Sequence, residues 1–317
     1  MKSITGVCIR AAPTLVLCAA LAEHNILPNR QISITTNTYP YVLIAGIVIT
    51  AGLFVTSLLN KKWGETFRHK APFFAAAFVF FILWDTVTLK FALLRLPYFS
   101  GPDKVFYGFR SDWQLLLRCA GYSLRLLLLG YLLGGTIGLT SGTLIGWSRR
   151  CNYWVGPLIK IIGPIPATAW MPIALVVFPS SFWASVFLIS LAVWFPVTVM
   201  TSSGIANVRN AYFDVAKTLG GNKRYMIFKV AIPAAMPNIF IGLFMGMGAS
   251  FLTLIAAEML GVKAGLGWYI QWAQGWAEYS KVYTTLILVA ILFSGIITLL
   301  FKIKDRLLDW QKGLIKW

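Results

Sequence analysis

Charge is scarce in this sequence. Only 12% of its 317 residues are Asp, Glu, Lys or Arg, about half the share found in soluble domains. Acidic residues are scarcest: ten, against 28 Lys and Arg. The four cysteines, Cys8, Cys18, Cys119 and Cys151, form no CxxC pair and no zinc-ligand spacing. They read as small apolar residues. Histidine occurs only at His24 and His69, both in polar stretches, where solvated side chains are expected. No Ser/His/Asp set and no metal-ligand cluster can be assembled. The phosphate-binding pattern G-x-x-x-x-G-K-[ST] is absent. Gly220-Gly221-Asn222-Lys223 echoes it, but the spacing fails and Arg224 follows the lysine. These absences exclude a self-contained hydrolase or NTPase.

Apolar residues are plentiful, at 58%, and they cluster in blocks near the roughly 20 residues that cross a bilayer as a helix. No block alternates with the period of a barrel strand, and lipid leaves helices as the other way to pair the backbone. The sequence predicts an all-α, polytopic membrane protein. Predicted spans lie at 39–59, 71–94, 123–147, 157–178, 182–201, 237–260 and 283–301, after a shorter block at 11–22. That block reads as an anchor helix or as a signal peptide ending in Ala20-Leu21-Ala22. Its place ahead of a polytopic chain favours the anchor. Residues 23–38 and 60–70 read as loops.

The formal net charge of +18 suggests nucleic acid at first sight. The basic residues sit in alternate short loops, however, which is the positive-inside pattern of a membrane protein. Nucleic-acid binding is excluded, since no soluble domain is left to carry it. The pattern puts the loops at 60–70, 148–150 and 202–236, and the tail from Lys302, in the cytoplasm.

Three features stand out within the spans. Gly130, Gly134, Gly138, Gly142 and Gly146 recur every fourth residue and make one bare helix face, suited to close helix packing. Gly242 and Gly246 repeat the spacing once. Pro164, Pro166 and Pro172 fall within nine positions and should bend or break their helix. Backbone freed at membrane depth is tolerated against protein or a wet cavity. Pro164, Pro166, Trp170 and Met171 are therefore candidates for lining a passage. Asp85 and Glu258 are carboxylates in apolar runs, where such residues face the bundle interior or water. Glu258 precedes a glycine-rich turn and suits either a helix cap or a gate on the pathway.

The island at 214–237 is the most patterned loop. Asp214 is placed in the first turn of a short helix, with Ala216 and Leu219 three apart on one face. Gly220 and Gly221 end the helix, and Pro233 and Pro237 open the next span. This island resembles the EAA loop of ABC-importer permeases, with Asp214-Val215-Ala216 in place of Glu-Ala-Ala. Residues 163–173 and 256–270 are similar to the nitrate/sulfonate/taurine branch of binding-protein-dependent permeases. The resemblance covers residues 71–317, so 1–70 forms an N-terminal extension with one or two further helices. It implies a type I importer fold with a six-helix core, paired with a second permease subunit, most simply a homodimer. It also implies two ABC ATPase subunits, which hold ATP and magnesium, and an extracytoplasmic substrate-binding protein. This chain itself would bind no cofactor. By position, Asp214, Ala216, Leu219 and Gly220 would form the ATPase contact in a coupling loop at about 203–236, and the solute would be small and anionic. A self-sufficient secondary transporter or channel is the alternative, though no inverted repeat is evident. Basic residues toward outer loops, Lys104, Arg110 and Lys263, would not repel an anion.

Overall fold

The computed structural model describes residues 2–31 and 37–309. The part of the cytoplasmically assigned tail beyond residue 309 lies outside the described residues. No strand occurs among the described residues. Among the same residues, seven helices are long and apolar enough to cross a membrane, and one further bent pair passes the same test together, as a broken span or a re-entrant loop.

The chain forms two compact units, Met1–Leu116 with Trp272–Ile287, and Leu117–Gln271 with Leu288–Trp317. The first unit is built on α1 (Lys2–Ile26), α2 (Thr38–Leu59), α3 (Lys61–Asp85) and α4 (Pro102–Ser111). Its core packs Leu17, Ala20, Tyr39 and Leu43 against Phe78, Phe81 and Phe106. The basic stretch at 60–70, expected as a loop, is helical. Asn60 caps it, its side-chain oxygen accepting from the Lys62 and Trp63 amides at 3.1 and 3.3 Å. Charged residues continue a helix readily once a cap meets its orphan amides. Residue 70 thus falls inside α3. α1 likewise runs past residue 22 to Ile26.

The second unit holds most of α5 (Trp113–Trp147), then α6 (Arg149–Ile162), α7 (Met171–Val177), α8 (Ser181–Ala206) and α9 (Asn210–Thr218). α10 (Lys223–Tyr225) runs through a π-helical stretch, Met226–Ala231, into α11 (Ile232–Gly261). α12 (Leu266–Gly275) and α13 (Tyr279–Leu307) complete the chain and pass between the two units in sequence. Leu126, Leu127, Val186, Ile189, Met247, Phe251, Leu254 and Leu300 form the main core. Phe251 stacks on Phe293 with ring centroids 3.8 Å apart. Pro233 opens α11, whereas Pro237 lies inside it rather than in its first turn.

α8 is gripped on two faces by glycines. A Cβ built at Gly130 would stand 2.5 Å from Ile189 Cγ2, and one at Gly138 would stand 2.8 Å from Val197 Cβ. Gly142 abuts Thr201, Gly146 abuts Ser202 and Ile205, and Gly134 abuts Ser190. All five glycines of the α5 stripe meet α8. From α11, Gly242 and Gly246 press on the stretch from Val193 to Met200. In lipid no hydrophobic effect drives helices together, so such close backbone approach is what holds them.

Candidate functional site

The island folds as a short helix, a glycine stop and a capped re-entry. Gly220 has φ +80°, a left-handed value that favours glycine. The Gly220 and Gly221 amides donate to the Lys217 and Ala216 carbonyls at 2.9 and 2.8 Å. Asn222 then caps the next turn, accepting from the Tyr225 amide at 2.8 Å. Phe213 packs on Trp147 at the end of α5, ring centroids 5.6 Å apart.

Three details differ from the expectation. Asp214 is the fifth residue of α9, not in its first turn, and it forms an exposed ion pair with Lys217 at 3.4 Å. Leu219 lies just beyond the helix, so the three-apart spacing does not put it beside Ala216. Ala216 is buried, at 5% exposure, while Leu219 is 82% exposed. The outward apolar residues are Val215, at 60%, and Leu219, four apart, with Tyr212 nearby in sequence.

The proline-rich span breaks. α6 and the segment Ala167–Val177, which includes α7, meet at an angle of 86°. A cavity of about 380 Å³ lies where this break faces α8 and α11. Pro166, Thr168, Trp194, Phe195, Met245 and Leu252 are among its walls. Gly163 is needed there, since a Cβ would overlap the Phe195 ring. Pro164 lines a neighbouring cavity of about 420 Å³ with Asn152, Lys160 and Ser202. Trp170 and Met171 point elsewhere. Met171 is buried with Ala174, Ala184, Leu188 and Ala257, and Trp170 packs against that cluster.

Glu258 is fully buried and lies outside the cavity lining. Its carboxylate accepts from the Ser123 hydroxyl at 2.7 Å and from the Gly267 amide at 2.8 Å. Ser123 Oγ in turn accepts from the Leu266 amide at 2.9 Å. Together the two side chains take up the first amides of α12, where a carboxylate also suits the helix dipole. Gly265 has φ +127° and lies against the carboxylate, so a side chain fits neither the backbone nor the space. The geometry is that of a cap.

A family profile described as "Binding-protein-dependent transport system inner membrane component" matches residues 134–310. The chain is 34% identical over 270 residues to the bicarbonate transport system permease protein CmpB of Synechococcus elongatus, covering 80% of this chain and 92% of that one. The chain belongs to this family of inner-membrane permeases. It is also 31% identical over 280 residues to the nitrate import permease protein NrtB of Synechococcus elongatus, covering 82% and 95% of the two chains. The fold matches the permease of the methionine ABC transporter MetNI in its inward-facing form, with a TM-score of 0.52 at 19% identity over 62% of this chain and 97% of that one. The permease is therefore a multi-pass inner-membrane protein of the nitrate, bicarbonate and sulfonate branch, with the type I ABC importer permease fold.

A second polar centre of the permease lies ahead of the matched residues. His24, expected in a solvated loop, sits in α1 with Nδ1 2.9 Å from Asp85 Oδ2. Lys90 Nζ donates to the His24 and Leu27 carbonyls, both at 2.7 Å, and to Asn29 Oδ1 at 2.8 Å. It also stands 3.9 Å from Asp85. The Thr86 hydroxyl donates to Glu23. The lysine thus closes the C-terminal end of α1, whose last carbonyls would otherwise lack donors. Asp85 and Lys90 hinted at this centre by standing five apart beside an apolar run. Their partners, more than 60 residues away in sequence, left no local signal.

Proposed function

We propose that the permease is the solute-translocating subunit of an ATP-driven importer. An extracytoplasmic binding protein delivers a small solute, and a second copy of the chain completes the passage. Two separate ATPase subunits bind and hydrolyse ATP with magnesium, so this chain is not itself an enzyme. The names of the bicarbonate and nitrate relatives favour an anionic solute. The loop containing α9 and the C-terminal tail face the cytoplasm, and α9 rests in a groove of the ATPase. The cavity beside the broken span forms part of the passage.

One observation carries this reading: Val215 on the short helix α9 and Leu219 just beyond its end stand outward amid charged residues and just before a left-handed glycine. Burying a leucine side chain in a partner groove contributes about 1.5–3 kcal/mol. Asp214 and Gly220 flank the contact, while Ala216 supports it from within.

The test is the complete importer in proteoliposomes. The variant carrying Val215→Asp and Leu219→Asp should insert normally, lose copurification with the ATPase and lose ATP-driven uptake. Gly220→Pro, which cannot adopt the positive φ, and Asp214→Lys should uncouple hydrolysis from uptake. Unchanged recruitment and uptake in the double variant would overturn the proposal.

A further inference from the structure

α6 turns a polar side inward and an apolar side outward. Asn152, Gly156 and Lys160, with Ile159, line the cavity of about 420 Å³ that it shares with α8. On the opposite side Trp154, Leu158 and Ile161 recur at i, i+4 and i+7 and form one stripe. All three stand exposed, Trp154 to 74%. Fourteen residues make a helix of about 21 Å, too short to cross the hydrocarbon core alone. The 86° break means that α6 and Ala167–Val177 cannot both follow the membrane normal. Ala167–Val177 has no charged residue and suits the membrane interior, whereas α6 carries Arg149, Arg150 and Lys160. α6 is therefore the one that lies along the membrane surface.

The start of α6 lacks a counter-ion. Arg149 and Arg150 fill its first turn, where the helix dipole is positive and an acidic residue would be favoured. α6 contains no acidic residue, and neither arginine has a hydrogen-bond or ion-pair partner among the described residues. Tyr153 and Trp154 stand beside them, ring centroids 5.3 Å apart, as aromatic residues do at the level of lipid headgroups. An exposed apolar stripe, two unpaired arginines and two aromatic rings on one short helix fit an anionic phospholipid, which offers acyl chains and a phosphate together. A second copy of the chain is a poorer match, since its acidic residues number ten and Asp85, Asp103 and Glu258 are buried.

We propose that α6 is seated in anionic phospholipid at the bilayer surface. Trp154, Leu158 and Ile161 lie among acyl chains, and Arg149 and Arg150 hold headgroup phosphates. The bilayer then backs a helix whose other side lines a cavity. This seating goes beyond the importer reading and does not depend on which solute is carried.

The first measurement locates the stripe. A nitroxide is attached at Leu158→Cys in a full chain whose four native cysteines are replaced by alanine, in vesicles of mixed phosphatidylcholine and phosphatidylglycerol. Its collisions with oxygen, which concentrates among acyl chains, should exceed those with a water-soluble nickel chelate several-fold. A label that favours the chelate stands in water, and a label shielded from both stands against protein; either result would overturn the proposal. The second measurement reads the headgroup. The Trp154 fluorescence is the difference between the unmodified chain and Trp154→Phe. At equal mole fraction, phosphatidylglycerol brominated on its acyl chains should quench it more than brominated phosphatidylcholine, with a local preference of about threefold or more at low salt. Arg149→Gln with Arg150→Gln should abolish the preference, Arg149→Lys with Arg150→Lys should keep most of it, and added salt should weaken it. Equal quenching by the two lipids in the unmodified chain, or a preference that survives the double glutamine variant, would overturn the proposal.

Discussion

Replacing Gly138 by alanine tests the grip of α5 on α8. The new methyl carbon would stand 2.8 Å from both Val197 Cβ and Cγ1 and 3.1 Å from the Trp194 carbonyl oxygen. Carbon atoms rest at about 3.5–4.0 Å, so the helices must part by roughly 0.7 Å. α8 has little room to yield, because Gly242 of α11 already lies 3.0 Å, by the same construction, from the Pro196 carbonyl and Val197 Cα on the opposite side. Overpacking of this kind costs about 1–3 kcal/mol. Gly135 is the control: it is one turn away on the same helix, and an added methyl meets only Leu243 Cδ2, at 3.8 Å. There alanine should gain up to about 1 kcal/mol from helix propensity. The propensity gain is common to both positions, so the two substitutions should differ by the packing cost, about 1–3 kcal/mol, or on the order of 3–10 °C in apparent melting temperature. The assay is the loss of monodisperse protein on heating in detergent, read by size-exclusion chromatography. Gly138→Ala melting at or above Gly135→Ala would refute close packing as the role of the stripe.

Two further substitutions address the buried polar groups. Glu258→Ala leaves the Gly267 amide and the Ser123 hydroxyl without their acceptor and should destabilise the chain by about 1–3 kcal/mol; Glu258→Gln, which keeps one acceptor, should cost less in the same melting assay. Lys90→Met removes the donor to two carbonyls and Asn29 and leaves Asp85 without its buried cation. It should cost about 3–5 kcal/mol and speed proteolysis near Ile26, and wild-type resistance would contradict its role in closing α1.

The readable parts of the sequence were those written at short range. Glycines every fourth residue define one helix face whatever packs there, and the facing helix in this fold is α8. Prolines 164 and 166 announce a break because they act on their own backbone. Gly220 marks the end of α9 for the same reason. The orientation of α9 was harder to read. Leu219 lies past the last helical turn, so helical spacing no longer places it, and tertiary packing, with Phe213 on Trp147 and the cluster around Ile205 and Ala231, fixes which side faces inward. α4 leaves no signal because it is ten residues long and bounded by tertiary partners rather than by a hydrophobic block, whereas the start of α12 is legible only through the cap reading of Glu258. Thr284 donates to the Val105 carbonyl at 2.7 Å and occupies the space left by Gly108. The His24–Asp85 contact joins residues 61 apart, a distance over which sequence pattern carries no register.

The packing of α8 offers the proposed coupling helix a physical route to the cavity at the middle of α8 and α11. Ile205, near the end of α8, packs with Ala231, Ala235 and Ile239 of the π stretch and α11, and Phe213 of α9 and Trp147 of α5 adjoin the same cluster. A displacement of α9 therefore reaches α5 through one aromatic contact and reaches α11 through the capped turn at Asn222. Both α5 and α11 clasp α8 through glycines, at separations too close for α8 to slip independently. Trp194 and Phe195 are carried on α8 itself, while Met245 and Leu252 are carried on α11. Packed interiors transmit strain rather than absorb it, so under the proposed coupling the walls of the cavity would shift with α9. The break at Gly163–Pro166 is the compliant side: its backbone is already out of helical register, and it lines the same space. If this space is part of the proposed passage, a rigid pair of helices working against a broken third would let it open and close without loosening the core.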